Sequence, residues 1–511
     1  MSITPSACGR ACILATSLFV WCVVAAAAQT SASDPIYAGY MRLYAGEREA
    51  AFKHFEALRA TDPKRLAPWF GQLFAHEARV EFDRSLAPSF EKSVDEFLDH
   101  AGDRYSRSKD DAEALFYLAQ AYLLRSVYRI DYDKGTFGAA RDAAKAKGYA
   151  DAYVKQHPEH GDAYLALGLY NYYVDIAPNF VKVLRVLLLL PSGNRAHGLE
   201  QLARAGREGS FFAPLAEGAL ADIYGSLEGR LAEAITIGER LVRRFPANAS
   251  LRFDLAERYM HPTVERYDDA AEQYRVIIEQ KKTSALEDLE ARYRATLGLA
   301  NLRRSQWRLD EAMALLSRVI DQQVATPQWV TPTFLIRRAN YRALLNDAAA
   351  VSDAQRVTQN RSMAEWHKAA QGQIAFIEGR RQSPDEAVVY AALIPGNRHV
   401  VEHQWDAARA VYDQVGATRP GDWQVKYRKA YLEFMRANDD AAARGFNEIV
   451  SSQAAMPAWL KAQAMLTLAW THDLAGRRAQ ATKLYKRIVD DYERESAAGA
   501  ARIGLMTPYR R

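Results

Sequence analysis

The sequence predicts an all-α chain in which helical hairpins repeat and stack into a superhelical α-solenoid with a concave groove. Three observations predict it. Small residues and aromatics recur at helical spacing about every 34 residues, the period of a stacked helical-hairpin array. Prolines fall where such hairpins must stop, since proline cannot continue a helix. Alternating β-branched runs rarely persist, so strand signals are nearly absent. With 511 residues the chain is too long for one core, since single cores stop growing at roughly 250–300 residues. Hydrophobic residues make up 49% and charged residues 25%, which disfavours bulk disorder.

Residues 1–28 read as a secretory signal peptide. Arg10 is their one charge, Ala11–Ala28 is apolar, and Ala26-Ala27-Ala28 offers small residues before a cut near Gln29. All three cysteines, Cys8, Cys12 and Cys22, lie in this leader. The mature chain therefore has no disulfide, no cysteine nucleophile and no thiolate metal site, which suits an oxidising compartment such as the periplasm. The net charge is +5, of which Arg10 supplies one, leaving +4. That is too little over this length to argue for nucleic acid. No later run is long and apolar enough to span a bilayer, so membrane contact is expected to be peripheral at most.

Taken in order, the hairpins show a small residue in the first helix, and an alanine, an aromatic and an apolar residue in the second. The first copy has Gly39, Gly46, Ala51, Phe55, Leu58 and Pro63. A second has Ala119 and Tyr122, an insert at Tyr128–Gly138, then Ala146, Ala150, Tyr153 and Pro158. Tyr164, Leu167 and Gly168 open a third. Later copies carry Ala234, Leu241 and Pro246; Ala270, Tyr274 and Ile277; and Ala300, Ala312, Leu316 and Val319. Asp321–Thr333 holds two prolines and reads as a joint before FLIRRANYRALL. Ala408, Tyr412, Val415 and Pro420, then Leu468, Ala469, Gly476, Ala481, Tyr485 and Ile488, complete the series. The expected division is 29–330 and 331–511.

In these positions the chain resembles the tetratricopeptide repeat superfamily over most of residues 35–500, as a secreted bacterial member. Many first helices lack the usual tryptophan or tyrosine, and two inserts break the period. The resemblance implies a groove lined by first helices and a protein or peptide as the ligand. Some family members clamp a terminal carboxylate with lysine and asparagine. That set is not matched here and is not carried over.

One insert, Ile176–Arg195, is the most apolar run of the mature chain. Pro178 and Pro191 bracket a helix that is apolar nearly all round and reads as buried. Leu190-Pro191-Ser192-Gly193-Asn194-Arg195 has a near twin in Ile394-Pro395-Gly396-Asn397-Arg398. Each is read as a turn and N-cap before a new helix. Ser192, Gly193, Asn194 and Arg195 are thus a candidate anion site at a helix start.

No catalytic constellation emerges. His399-Val400-Val401-Glu402-His403 fits the inverted zinc-protease pattern, but a third ligand and an α/β domain are missing. A helix beginning after Arg398, with one histidine packed and one solvated, is the preferred reading. His157-Pro158-Glu159-His160 reads as a turn with two exposed histidines. Glu495-Ser496 and Gly504-Leu505-Met506 resemble fragments of lytic transglycosylase motifs, yet lie too close together to frame a catalytic lobe. No metal or cofactor is called.

The clearest binding signal is rich in arginine. Arg294, Asn301 and Arg304 share a helix face, and the next first helix repeats the step with Arg337, Arg338, Ala339 and Asn340. Such a face suits an acidic peptide. The sequence therefore predicts a non-catalytic periplasmic or secreted scaffold that holds a protein partner in its groove. The alternatives are an envelope hydrolase with zinc at His399, Glu402 and His403, and a peripheral membrane protein using Val181–Leu190.

Overall fold

A computed structural model describes residues 34–133, 135–176, 191–261, 263–280, 285–322 and 326–511. The leader, and the heart of the apolar insert with Val181–Leu190, lie outside the described residues. Within them the protein is built from 24 α-helices with no strand. None of these helices is long and apolar enough to cross a membrane. Most helices adjacent in sequence pack against each other, and many first helices also touch the next first helix. That pattern defines a solenoid.

The chain divides into two compact units, residues 1–259 with 280–288, and 260–279 with 289–511. The expected division at 330/331 falls in the first turn of the helix Val330–Leu344, within the second unit.

Repeat geometry follows from the small and aromatic positions. Phe55, fully buried on Arg48–Thr61, is wedged between Gly39 and Gly71 of two successive first helices. A methyl group at either glycine would sit 2.4 and 2.3 Å from the phenyl ring. Tyr412 meets Gly396 in the same way, and Tyr485 meets Gly504. The aromatic ring thus sets how closely the hairpins approach. Ala51, Ala119, Ala150, Ala234, Ala270, Ala312, Ala408 and Ala481 are all buried, as their repeat positions require.

The first unit closes on itself. Pro35–Tyr44, capped by Asp34, meets elements about 170 to 200 residues later in the chain. The Tyr44 hydroxyl donates to the Phe211 carbonyl at 2.9 Å, Asn248 donates to the Tyr44 carbonyl at 2.9 Å, and Arg48 donates to Ser250 at 3.0 Å. One hydrophobic core therefore runs from Ile36 to Phe245. The insert read at Tyr128–Gly138 includes the start of the helix Thr136–Gln156 and a π-helical turn, Arg129–Asp133, that continues the helix Ala112–Tyr128. It lets Arg125 and Arg129 both reach the buried carboxylate of Asp142.

One reading of the twin turns is overturned. Asn194 does cap Arg195–Glu208, accepting from the His197 N–H at 2.9 Å. Its twin is no turn: Pro395 lies inside the helix Pro384–Val401. Tertiary packing outweighs the lost helix hydrogen bond there. Tyr412 seats its ring on Gly396 and donates its hydroxyl to Asn397 at 2.8 Å.

Candidate binding surfaces

The arginine face lies in the second unit, and the structure sorts its members. Arg338 is buried at 6% exposure and holds Asp353 bidentately at 2.9 and 2.7 Å. It therefore joins two helices and does not face a ligand, which corrects the sequence reading. Arg294 is drawn onto Glu290 one turn back at 2.9 Å, and Glu290 also accepts from the Trp329 indole. Asn301 accepts from the Tyr341 hydroxyl at 2.7 Å, and Asn340 donates to Gln373 at 3.2 Å. Arg304 and Arg337 remain exposed. Both sit near enough to Tyr341 to oppose the rise that burial gives its pKa.

Two arginines that the sequence reading missed extend this surface. Arg380 lies 4.8 Å from the Tyr390 ring, and Arg428 lies 5.0 Å from the Trp307 ring. The Tyr390 and Trp307 rings are 6.1 Å apart, and Trp459 packs edge-on against Tyr390 at 6.1 Å. Many other arginines of the unit are answered by carboxylates, among them Arg303, Arg308 and Arg409. Among the described residues Arg304, Arg337, Arg380 and Arg428 have no ion-pair partner. Arg380 donates one N–H to the Ala343 carbonyl at 3.2 Å, while its buried Nη2 finds no acceptor. The arrangement thus offers guanidinium donors beside aromatic faces.

The other candidates resolve into internal structure. At the capped helix start, the backbone N–H of Arg195 donates to Asp175 at 2.8 Å. The Arg195 side chain grips Glu228, which also accepts from Tyr172. Carboxylates of the chain thus occupy the place where an anion would bind at Asn194 and Arg195. Gly193 packs closely on the Asn171 carbonyl, and Ser192 is exposed.

The zinc pattern fails on geometry. The helix starts at Pro384, well before Arg398, and ends at Val401. His403 has a left-handed φ of 56°, so it does not share a helix face with His399. His399 is bonded to Gln404 at 2.6 Å. Glu402 is held by Arg398 and Arg308, whose hydrogen bonds keep its pKa low and unsuited to a general base.

The His157–His160 turn is more structured than expected. Phe116 stacks on His160 at 4.8 Å, and Tyr153 meets the His160 Nδ1 at 2.6 Å. Burial, Glu159 and Asp162 push the Tyr153 pKa up to about 12, so it stays a phenol and donates when the imidazole is neutral. Asp162, fully buried, accepts from the N–H groups of Ser210, Phe211 and Phe212 at 3.0, 2.9 and 2.8 Å. A side chain at Gly161 would collide with the Glu208 carbonyl carbon at 2.3 Å.

This clamp forms one wall of a cavity of about 1090 Å³ in the first unit. Phe116, Tyr117, Tyr153 and Phe211 line it, together with Arg65 and Arg107.

Residues 463–493 match the family model described as tetratricopeptide repeat. They form the hairpin Ala458–Leu474 and Arg478–Asp491, in which Tyr485 packs on Gly504 of the helix that follows. At this hairpin the chain carries a tetratricopeptide repeat. No curated protein matches it in sequence. Among solved structures, yeast Tom70 is similar at 13% identity and a TM-score of 0.29, covering 89% of this chain and 92% of that one. The human IFIT1 dimer with PPP-AAAA is similar at 11% and 0.30, covering 75% and 90%. A structure of Naa15/Naa10 bound to HypK-THB is similar at 13% and 0.27, covering 91% and 83%. At such identities and scores, no ligand or partner is carried over to this repeat protein.

Proposed function

We propose that this repeat protein is a secreted, non-catalytic scaffold that holds an acidic segment of a protein partner on the arginine–aromatic face of its second unit. The observation that carries the reading is the set Arg304, Arg337, Arg380 and Arg428, which form no ion pair among the described residues and are set beside Tyr341, Tyr390 and Trp307. A guanidinium presents a planar fork that matches a carboxylate bidentately. Arginine, tyrosine and tryptophan also dominate the energetics of protein interfaces. The leader, with its single Arg10 and its Ala26–Ala28 end, supports export to the periplasm.

The test uses the mature protein and two dye-labelled decapeptides, one alternating glutamate with tyrosine and one alternating lysine with tyrosine. The glutamate peptide is expected to raise anisotropy and to lose affinity as salt rises. Arg337→Glu combined with Arg428→Glu is expected to abolish binding. Equal binding of the lysine peptide, or binding unchanged in that variant, refutes the assignment. N-terminal sequencing of protein from the native periplasmic fraction is expected to begin near Gln29. An intact Met1 refutes export by cleavage.

A further inference from the structure

The cavity of the first unit is a separate site, independent of the arginine face. It opens where the C-terminal ends of the helices Ala87–Arg107 and Thr136–Gln156 meet the N-terminal ends of Leu66–Val80 and Ala112–Tyr128. Its lining falls into two zones. The inner wall is aromatic: Phe116, Tyr117, Tyr153 and Phe211, with the His157 and His160 imidazoles among them. Phe116 and Tyr153 are 5.2 Å apart, and Tyr153 and His157 are 4.9 Å apart. The Tyr153–His160 bond and the Asp162 clamp on residues 210–212 fix this wall. A preformed wall of this kind loses little freedom on binding.

The mouth is cationic. Lys64, Arg65 and Arg107 are exposed, and their side chains have no partner among the described residues. Arg104 is committed to Asp111 and Glu113. Three carboxylates line the cavity, of which Glu113 is held by Arg104, leaving Asp62 and Asp103 against these cations. Asp62 turns back onto the Lys64 N–H at 3.3 Å, and Asp103 is exposed at the rim. A cleft of about 1090 Å³ with an aromatic wall and a few charged groups at its mouth has the character of a small-molecule pocket.

We propose that this cavity binds a small amphipathic anion, with a ring- or chain-like apolar body laid on the Phe116–Tyr153–Phe211 wall and a carboxylate or phosphate held at the mouth by Arg65 and Arg107. The apolar body removes ring surface from water, and the two guanidiniums supply charge-assisted hydrogen bonds. Neither zone alone accounts for the other. A purely apolar ligand leaves the cations unused, and a bare anion leaves the wall wet.

The experiment follows displacement of 1-anilinonaphthalene-8-sulfonate from the full mature chain by decanoate, decyl phosphate, decanol and inorganic phosphate. Decanoate and decyl phosphate are expected to displace the dye, and decanol and inorganic phosphate to need at least about tenfold more, since one charged hydrogen bond accounts for that factor. Arg65→Glu with Arg107→Glu is expected to weaken decanoate about tenfold or more with an unchanged melting curve, because both side chains are exposed. Asp103→Asn is expected to tighten it. Arg337→Glu, in the other unit, is expected to leave it unchanged, which separates this site from the arginine face. Displacement by decanol as strong as by decanoate overturns the proposal, as does full displacement by inorganic phosphate. Decanoate affinity unchanged in the double charge reversal overturns it as well.

Discussion

Asp162 gives the sharpest test of how the first unit is held. Its carboxylate is fully buried and accepts three backbone N–H bonds, at 3.0, 2.9 and 2.8 Å, from Ser210, Phe211 and Phe212. Those bonds hold Phe212 against Tyr40 at 5.3 Å and Phe116 at 6.1 Å. They also hold the Phe211 carbonyl under the Tyr44 hydroxyl. Hydrogen bonds to a charged acceptor contribute about 1.5–3 kcal/mol each, and a buried donor left without a partner costs about 1–3 kcal/mol. The loop recovers part of this by reaching water, so Asp162→Ala is expected to cost about 3–5 kcal/mol. For a unit of this size that lowers the melting temperature by roughly 10 °C. Asp162→Asn is expected to fare little better, because its amide group turns a donor toward three donors. The assay is circular dichroism melting of the full mature chain, paired with amide hydrogen exchange. The amides of residues 210–212 are expected to exchange slowly in the wild type and to lose that protection in both variants. A cost below about 1 kcal/mol, or protection retained in Asp162→Ala, refutes the clamp, since a change that small is typical of an uninvolved surface site.

Further outcomes follow from the same reasoning. Arg338→Ala breaks a buried pair and is expected to cost about 3 kcal/mol, whereas its exposed neighbour Arg337→Ala is expected to cost less than about 0.5 kcal/mol, both read from denaturant melts. Burial, Glu81 and Asp131 push the Glu77 pKa up to about 7, against the pull of Arg48. The folded state therefore holds this proton more tightly than the unfolded chain, and stability falls as pH rises from about 4.5 to 7. For this half-buried group, Glu77→Gln is expected to remove about 1 kcal/mol of that slope, seen as converging melting temperatures at pH 5 and 8. Ala437 has a left-handed φ of 59° in the turn before Asp439–Ser451. Ala437→Gly is expected to raise stability by about 0.5–1 kcal/mol by relieving that conformation, and a loss on thermal melting would contradict it.

What the sequence made legible was the part governed by local spacing. Phe55, Tyr412 and Tyr485 were placed correctly because an aromatic ring of one helix demands a small residue on its neighbour, and both lie within one repeat of each other. The same logic explains the failure at Pro395. Proline was read as a breaker, but Gly396 and Asn397 beside it receive the ring and hydroxyl of Tyr412, and that tertiary contact keeps the helix intact. The arginine face was half legible for a related reason. Helical spacing put Arg304 and Arg337 on exposed faces, but it does not say which carboxylate stands opposite. Asp353 lies on the helix after Arg338, and Glu290 lies one turn before Arg294. Each converts a candidate ligand residue into a strut. Arg380 and Arg428 were missed because they reach Tyr390 and Trp307 only through the stacking of successive hairpins. The one local cue was an arginine four residues after Phe376 and another next to Tyr427. The cavity was less legible still, since its lining comes from positions between 62 and 211 that no repeat period relates. A repeat period encodes how each hairpin meets the next. A site assembled from the ends of several hairpins depends on the accumulated turn of the superhelix, and in the first unit that turn is fixed by contacts such as Tyr44 with Phe211, 167 residues apart. The clamp at Asp162 and the closure at Tyr44 act on the same short loop. Altering either is therefore expected to disturb the cavity even though neither residue lines it.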